Sequence, residues 1–128
     1  MTTKRVLQLV GTFREMGYDD DPGAPSLLDV RGKRGAGHKA EVVAYLRKGK
    51  AFSFSPGPLR DYFDDTKYVG SHTMRTDGTY LWPDFVAGYV ERHDVELPAD
   101  FERHMEAAGW RLPEAIDIAT LQHPKRPT

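Results

Sequence analysis

Val6, Leu9, Val10, Phe13 and Met16 recur at spacings of three and four, which predicts a helix from about Thr3 to Met16 with one face on the core. Gly17 ends it. Residues 18–25, with an acidic cluster followed by Pro22, Gly23 and Pro25, read as a loop, and Ser26 is placed to cap a short helical turn through Leu27 and Leu28. From Arg31 to His38 the chain holds three glycines and three bases, the composition of a mobile surface loop. Val42, Val43, Tyr45 and Leu46 predict a helix over Lys39–Lys48, with bases in its last turn and Gly49 at its stop.

The period then changes to two. Ala51–Ser55 alternates and reads as a half-buried strand, closed by Pro56-Gly57-Pro58, and Leu59–Phe63 suggests a short helical turn. Tyr68–Arg75 and Gly78–Leu81 are two further strands joined at Asp77-Gly78, a strong hairpin signal because glycine accepts a positive φ. Pro83 and Asp84 fit the first turn of the next helix, where a missing N–H is harmless and an acid meets the positive dipole end. Phe85, Tyr89 and His93 share a face of that helix, and an extended stretch from Asp94 to Leu97 follows.

Pro98 opens another helix with a Phe101, Met105 and Ala108 stripe, ended by Gly109, after which Trp110 and Leu112 fold back. Pro113–Leu121 is open between helix, from Pro113-Glu114, and strand, from Ile116 and Ile118; His123–Thr128 reads as a frayed tail. The sum is one α+β domain, residues 1–128, with a small antiparallel sheet of about three or four strands covered by helices.

Composition narrows the chemistry. With 18 Lys and Arg against 19 Asp and Glu, the formal charge of −1 gives no global attraction to nucleic acid or an anionic membrane. The balance is uneven along the chain, with five acids and no Lys or Arg over Glu15–Asp29, then seven bases and only Glu41 over Arg31–Lys50. The absence of cysteine removes disulfides, thiol catalysis and Cys-ligated zinc. The N-terminal sequence lacks the apolar core and cleavage site of a signal peptide, so a cytoplasmic location is expected, and no membrane association is expected.

Gly35-Ala36-Gly37-His38-Lys39-Ala40 satisfies the loose G-x-G-x-x-A phosphate pattern ahead of a helix, yet no strand directly precedes it and no acid sits where a ribose would need one. The same stretch departs from the P-loop, with His38 where lysine is required. Arg31, Lys33, Arg34, His38 and Lys39 form an alternative anion or nucleic-acid site, extended by Arg47, Lys48 and Lys50. The five histidines lack metal-ligand spacing, and Asp19–Gly23 lacks the calcium-loop pattern, so no metal and no cofactor are expected. An acid–base site would pair His72 with Asp77 or Asp84, and a small-molecule or hydrolytic role would rest on it; Asp77 is otherwise an exposed turn residue. Tyr80, Trp82, Phe85 and Tyr89 read as core around a strand–helix corner, with a fraction available as an interface anchor.

Tyr45-Leu46-Arg47-Lys48-Gly49, then Thr76-Asp77-Gly78-Thr79-Tyr80-Leu81-Trp82-Pro83-Asp84, Tyr89-Val90 and Leu97-Pro98 with Phe101, resemble motifs of a group of small bacterial proteins, some of them immunity-like proteins of toxin systems. The resemblance covers the central and C-terminal part and implies a non-catalytic protein-binding role. From Asp84 to Glu106 seven acids face only Arg92 and Arg103, which suits a basic partner such as a nuclease. On this reading Trp82, Asp84, Glu91, Asp94, Glu96 and Asp100 are the partner-binding residues.

Overall fold

The computed structural model describes residues 3–18, 21 and 23–124. The expected loop residues Asp19, Asp20 and Pro22, and Lys125–Thr128 of the expected tail, lie outside the described residues.

The first expectation fails. Instead of a helix over Thr3–Met16 the chain forms two short strands, β1 (Arg5–Val6) and β2 (Gln8–Leu9), followed by a single 3-10 turn at Arg14–Met16. The apolar run from Val6 to Val10 fits a helical period by coincidence. Its side chains alternate between faces, with Leu7 buried in one cluster and Val10 in another, while Val6 is 57 % exposed. Strands elsewhere in the chain supply the hydrogen-bond partners, and tertiary pairing outweighs local propensity.

After α1 (Leu27–Val30) and α2 (Lys39–Lys48) come β3 (Lys50–Ser53), β4 (Leu59–Asp61), β5 (Asp64–Gly70), β6 (Met74–Thr76) and β7 (Tyr80–Pro83). Helices α3 (Phe85–His93) and α4 (Ala99–Ala107) follow, and a 3-10 turn at Ile118–Thr120 leads into β8 (Leu121–Gln122). The α+β class holds. The main sheet has four strands in the order β2-β7-β6-β3 and is mixed, because β2 runs parallel to β7 while the other two pairs are antiparallel. Strands β1 and β8 pair in parallel, and β4 and β5 form a separate antiparallel ribbon.

Three boundaries move. Leu59–Asp61 is a strand rather than a helical turn, since β5 lies alongside it. The strand expected over Tyr68–Arg75 is broken at residues 71–73, where Asp84 draws in the Ser71 N–H at 3.0 Å. Pro83 ends β7 instead of opening a helix; Asp84 is the N-cap of α3 and makes no side-chain cap bond. The Asp77-Gly78 hairpin forms as expected between β6 and β7, with Gly78 at φ +94°. Pro113–Leu121 is mostly irregular and ends in the 3-10 turn.

Strand β7 is buried on both faces. Tyr80 and Trp82 enter the main core, which α2, α3 and α4 build with Val42, Tyr45, Leu46, Phe85, Tyr89, Phe101 and Met105. Leu81 points to the other face and a smaller cluster with Leu7, Met74 and Leu121, edged by Phe52, Ile116 and Ile118. Trp82 donates its indole N–H to the Leu46 carbonyl at 3.0 Å, tying the sheet to the last turn of α2. Trp110 and Leu112 pack on the main core as expected.

Candidate functional site

Three carboxylates join segments far apart in sequence. Asp77, expected to be an exposed turn residue, is 2 % exposed. Its Oδ1 accepts from the Thr79 and Tyr80 N–H groups at 2.9 and 2.8 Å, closing the hairpin turn. Its Oδ2 accepts from the Tyr45 hydroxyl at 2.5 Å and faces His104 Nε2 at 2.9 Å, so α2, α4 and the hairpin meet at one side chain. Burial, and then Asp77, push the Tyr45 phenol far above its ordinary value, which keeps it a donor.

Asp61 is the second junction. Its Oδ2 lies 2.5 Å from His93 Nε2 and 3.0 Å from Arg92 Nε, and its Oδ1 accepts the Phe63 N–H at 2.9 Å. Burial raises the carboxyl, but the bonds from His93, the Phe63 N–H and Arg92 outweigh it and hold Asp61 below its usual value. Close by, the Tyr62 N–H donates to the Tyr89 hydroxyl at 2.9 Å, and burial pushes that phenol up to about 12. The third junction is Asp84, whose Oδ2 accepts from the N–H and hydroxyl of Ser71 and whose Oδ1 accepts from Arg75 Nε at 2.7 Å. Arg75 also donates to the Gly49 carbonyl at 2.9 Å.

His72 pairs with neither Asp77 nor Asp84, because both carboxylates are taken; its ring stands edge-on to Phe85 at 5.6 Å. Among the described residues no serine or threonine hydroxyl is hydrogen-bonded to His93 or His104. Among the same residues no three His, Asp or Glu side chains are grouped as a metal ion would require, and no helix is long and apolar enough to cross a membrane.

The residues expected to bind a partner separate into different environments. Trp82 is fully buried, so its assignment to a surface is corrected. Asp84 belongs to the Arg75 junction. Glu91 forms a two-pronged pair with Arg47, Asp94 pairs with Lys39 at 2.8 Å and Asp100 pairs with Arg103. Glu96 is exposed and in no ion pair among the described residues.

The basic loop is also committed. Arg34 is buried, with Nη1 on the Gly35 carbonyl and Nη2 on the Gly37 carbonyl and Glu102. The Gly32 and Arg34 N–H groups donate to the His93 and Asp94 carbonyls, so the stretch expected to be mobile is fastened to the end of α3. His38 lies 2.9 Å from Glu41 and stacks on Trp110, Arg31 sits 4.1 Å above the Phe63 ring, and Lys39 is paired with Asp94. The five residues therefore do not form one open patch, and Lys33 alone among them is exposed without an ion-pair or ring partner among the described residues.

The strongest surface signal was missed in the sequence. All four aromatics of the Tyr80–Tyr89 stretch are buried, whereas Phe54, Tyr62 and Tyr68 are 78, 50 and 55 % exposed. They lie on the excursion between β3 and β6, which the Asp61 junction, Val69 and Phe63 fasten from beneath. Only their number in a proline-containing stretch, Phe54 to Tyr68, could have marked them. Comparison of the chain with family models, curated proteins and solved structures gives no match.

Proposed function

We propose that this chain is a non-catalytic protein-binding module whose docking element is the excursion from Phe54 to Tyr68. The observation that carries this reading is the exposure of three aromatic side chains, Phe54 just after β3 and Tyr62 and Tyr68 on the β4–β5 ribbon, whose turn is hydrogen-bonded to Tyr89 and Asp61. Large rings already fixed in place lose little entropy on docking and dominate interface energies. The narrower reading, an immunity-like protein that neutralises a bacterial toxin, rests on the resemblance of the Thr76–Asp84 and Leu97–Phe101 motifs. A basic partner suits exposed Glu96 and Glu106, whereas Glu91, Asp94 and Asp100 already have cations of their own.

Co-expression with the product of the adjacent gene tests both levels, read as growth rescue and as co-purification while salt is raised. A complex that is lost when Phe54, Tyr62 and Tyr68 are changed together to Ser, in a protein that still unfolds cooperatively, supports the docking element. A complex indifferent to that triple change would sink it, and retention of the complex without growth rescue would remove the toxin reading alone. Loss on neutralising Glu96 and Glu106 would identify a basic partner through its salt dependence.

A further inference from the structure

We propose that strand β3, the open edge of the main sheet, pairs antiparallel with β3 of a second copy of this chain, joining two sheets edge to edge. The strand order β2-β7-β6-β3 leaves β3 with a neighbour on one side only, the β6 side.

A strand turns the N–H and C=O groups of alternate residues to its two sides, so the outer side of an edge is a template that another extended backbone completes. Among the described residues, backbone-to-backbone bonds outside the regular elements reach no residue from Ala51 to Pro58. Lys50, Ala51, Ser53, Phe54 and Ser55 are all exposed, so no other part of the chain lies over this edge. The sheet's opposite edge, β2, is two residues long and offers far less to pair with.

Edges are ordinarily blunted by a proline, by a charge standing across them or by a bulge. The first proline here is Pro56, beyond the end of β3, and the one charge, Lys50, donates its ammonium to the Ile116 carbonyl at 2.7 Å. The register with β6 does shift between Ala51 and Ser53, which keeps the pairing surface short. A small interface of this kind gives a weak dimer that forms as concentration rises.

The edge is complementary to itself. An antiparallel twofold between Phe52 and Ser53 sets Lys50 against Ser55 and Ala51 against Phe54. No like charges then face each other, and the exposed Phe54 ring meets a small side chain on the other copy. That match favours a second copy over a foreign strand. The pairing concerns the sheet edge and stands whether or not Tyr62 and Tyr68 dock a different protein; Phe54 is the one ring the two surfaces share.

The test is sedimentation equilibrium of the full chain over a wide concentration range, in which the wild type is expected to pass from monomer to dimer. Ala51→Lys combined with Phe54→Lys places like charges opposite each other twice by symmetry and should weaken the dimer at least about tenfold. Ala51→Lys combined with Phe54→Glu turns that repulsion into attraction and should restore it. Both positions are exposed, so the fold is retained. A wild-type chain still monomeric at about 1 mM, or a dimer that responds alike to the two double variants, would overturn the proposal. So would a monomer whose β3 amides become protected from exchange only when the co-expressed neighbour is bound, a result that gives the edge to a foreign strand.

Discussion

Tyr45 donates its hydroxyl to Asp77 Oδ2 at 2.5 Å across a separation of 32 residues, so the turn of a hairpin is held from the middle of a helix. The carboxylate also accepts two backbone N–H groups and faces His104. Asp77→Ala, which strips four partners at once, should cost about 3–5 kcal/mol of stability. Tyr45→Phe removes one donor and should cost about 1–3 kcal/mol. Urea unfolding of the two variants and their combination measures both, and a combined loss equal to the sum of the single losses would mean the pair is not coupled.

Acid should loosen the chain through Asp61. Its folded-state pKa lies below the ordinary carboxylate value, so the ionised form stabilises the fold fully at neutral pH. That contribution fades as pH falls below about 4 and through the lower folded value. Glu15, held down by Ser26 and the Leu27 N–H against the opposing effect of burial, acts in the same direction. Stability measured from pH 7 to pH 2 should fall most steeply below about pH 4. Asp61→Asn should be less stable at pH 7 with a shallower acid slope, and an unchanged slope would remove Asp61 as the cause.

The ribbon has a second anchor at Gly88. A Cβ built there would lie 2.2 Å from the Val69 carbonyl oxygen, a backbone atom with no room to withdraw. Gly88→Ala should therefore destabilise by about 1–3 kcal/mol and speed amide exchange over residues 59–70 before the rest of the chain. Gly57→Ala, in open space on the same excursion, should change stability by less than about 0.5 kcal/mol. Uniform exchange rates in Gly88→Ala would show that α3 does not secure the ribbon.

The two tryptophans should report different environments. Trp82 is fully buried and Trp110 half-buried against His38. Acrylamide should quench Trp110 readily in Trp82→Phe and Trp82 poorly in Trp110→Phe. Trp82→Phe should also lower stability, since it removes the bond to the Leu46 carbonyl.

The sequence was legible where local physics decides. Asp77-Gly78 forms its turn because glycine takes the positive φ, and Val42, Val43, Tyr45 and Leu46 bury the face their spacing marks. It was illegible where a distant segment supplies the partner. Residues 5–6 and 8–9 are strands only because β8 and β7 lie beside them, and Leu59–Asp61 is a strand only because β5 does. The candidate surfaces followed the same division. Acids between Asp84 and Glu106 were visible as charges, but their pairing with Lys39, Arg47 and Arg75 depends on how α2, β6 and α3 pack. Phe54, Tyr62 and Tyr68 are exposed while Asp61, bonded to His93 and the Phe63 N–H, faces inward from the same ribbon as Tyr62 and Tyr68, an arrangement set by contacts with α3.

The parallel pairing of β1 with β8 sets an order of events during synthesis. Arg5 waits for Leu121, and Gln8 for Tyr80, so these residues are made long before their strand partners. Until residues 121–122 leave the ribosome, Leu7 lacks Leu121 of its cluster, and a chain stalled earlier would expose an unpaired N-terminal strand.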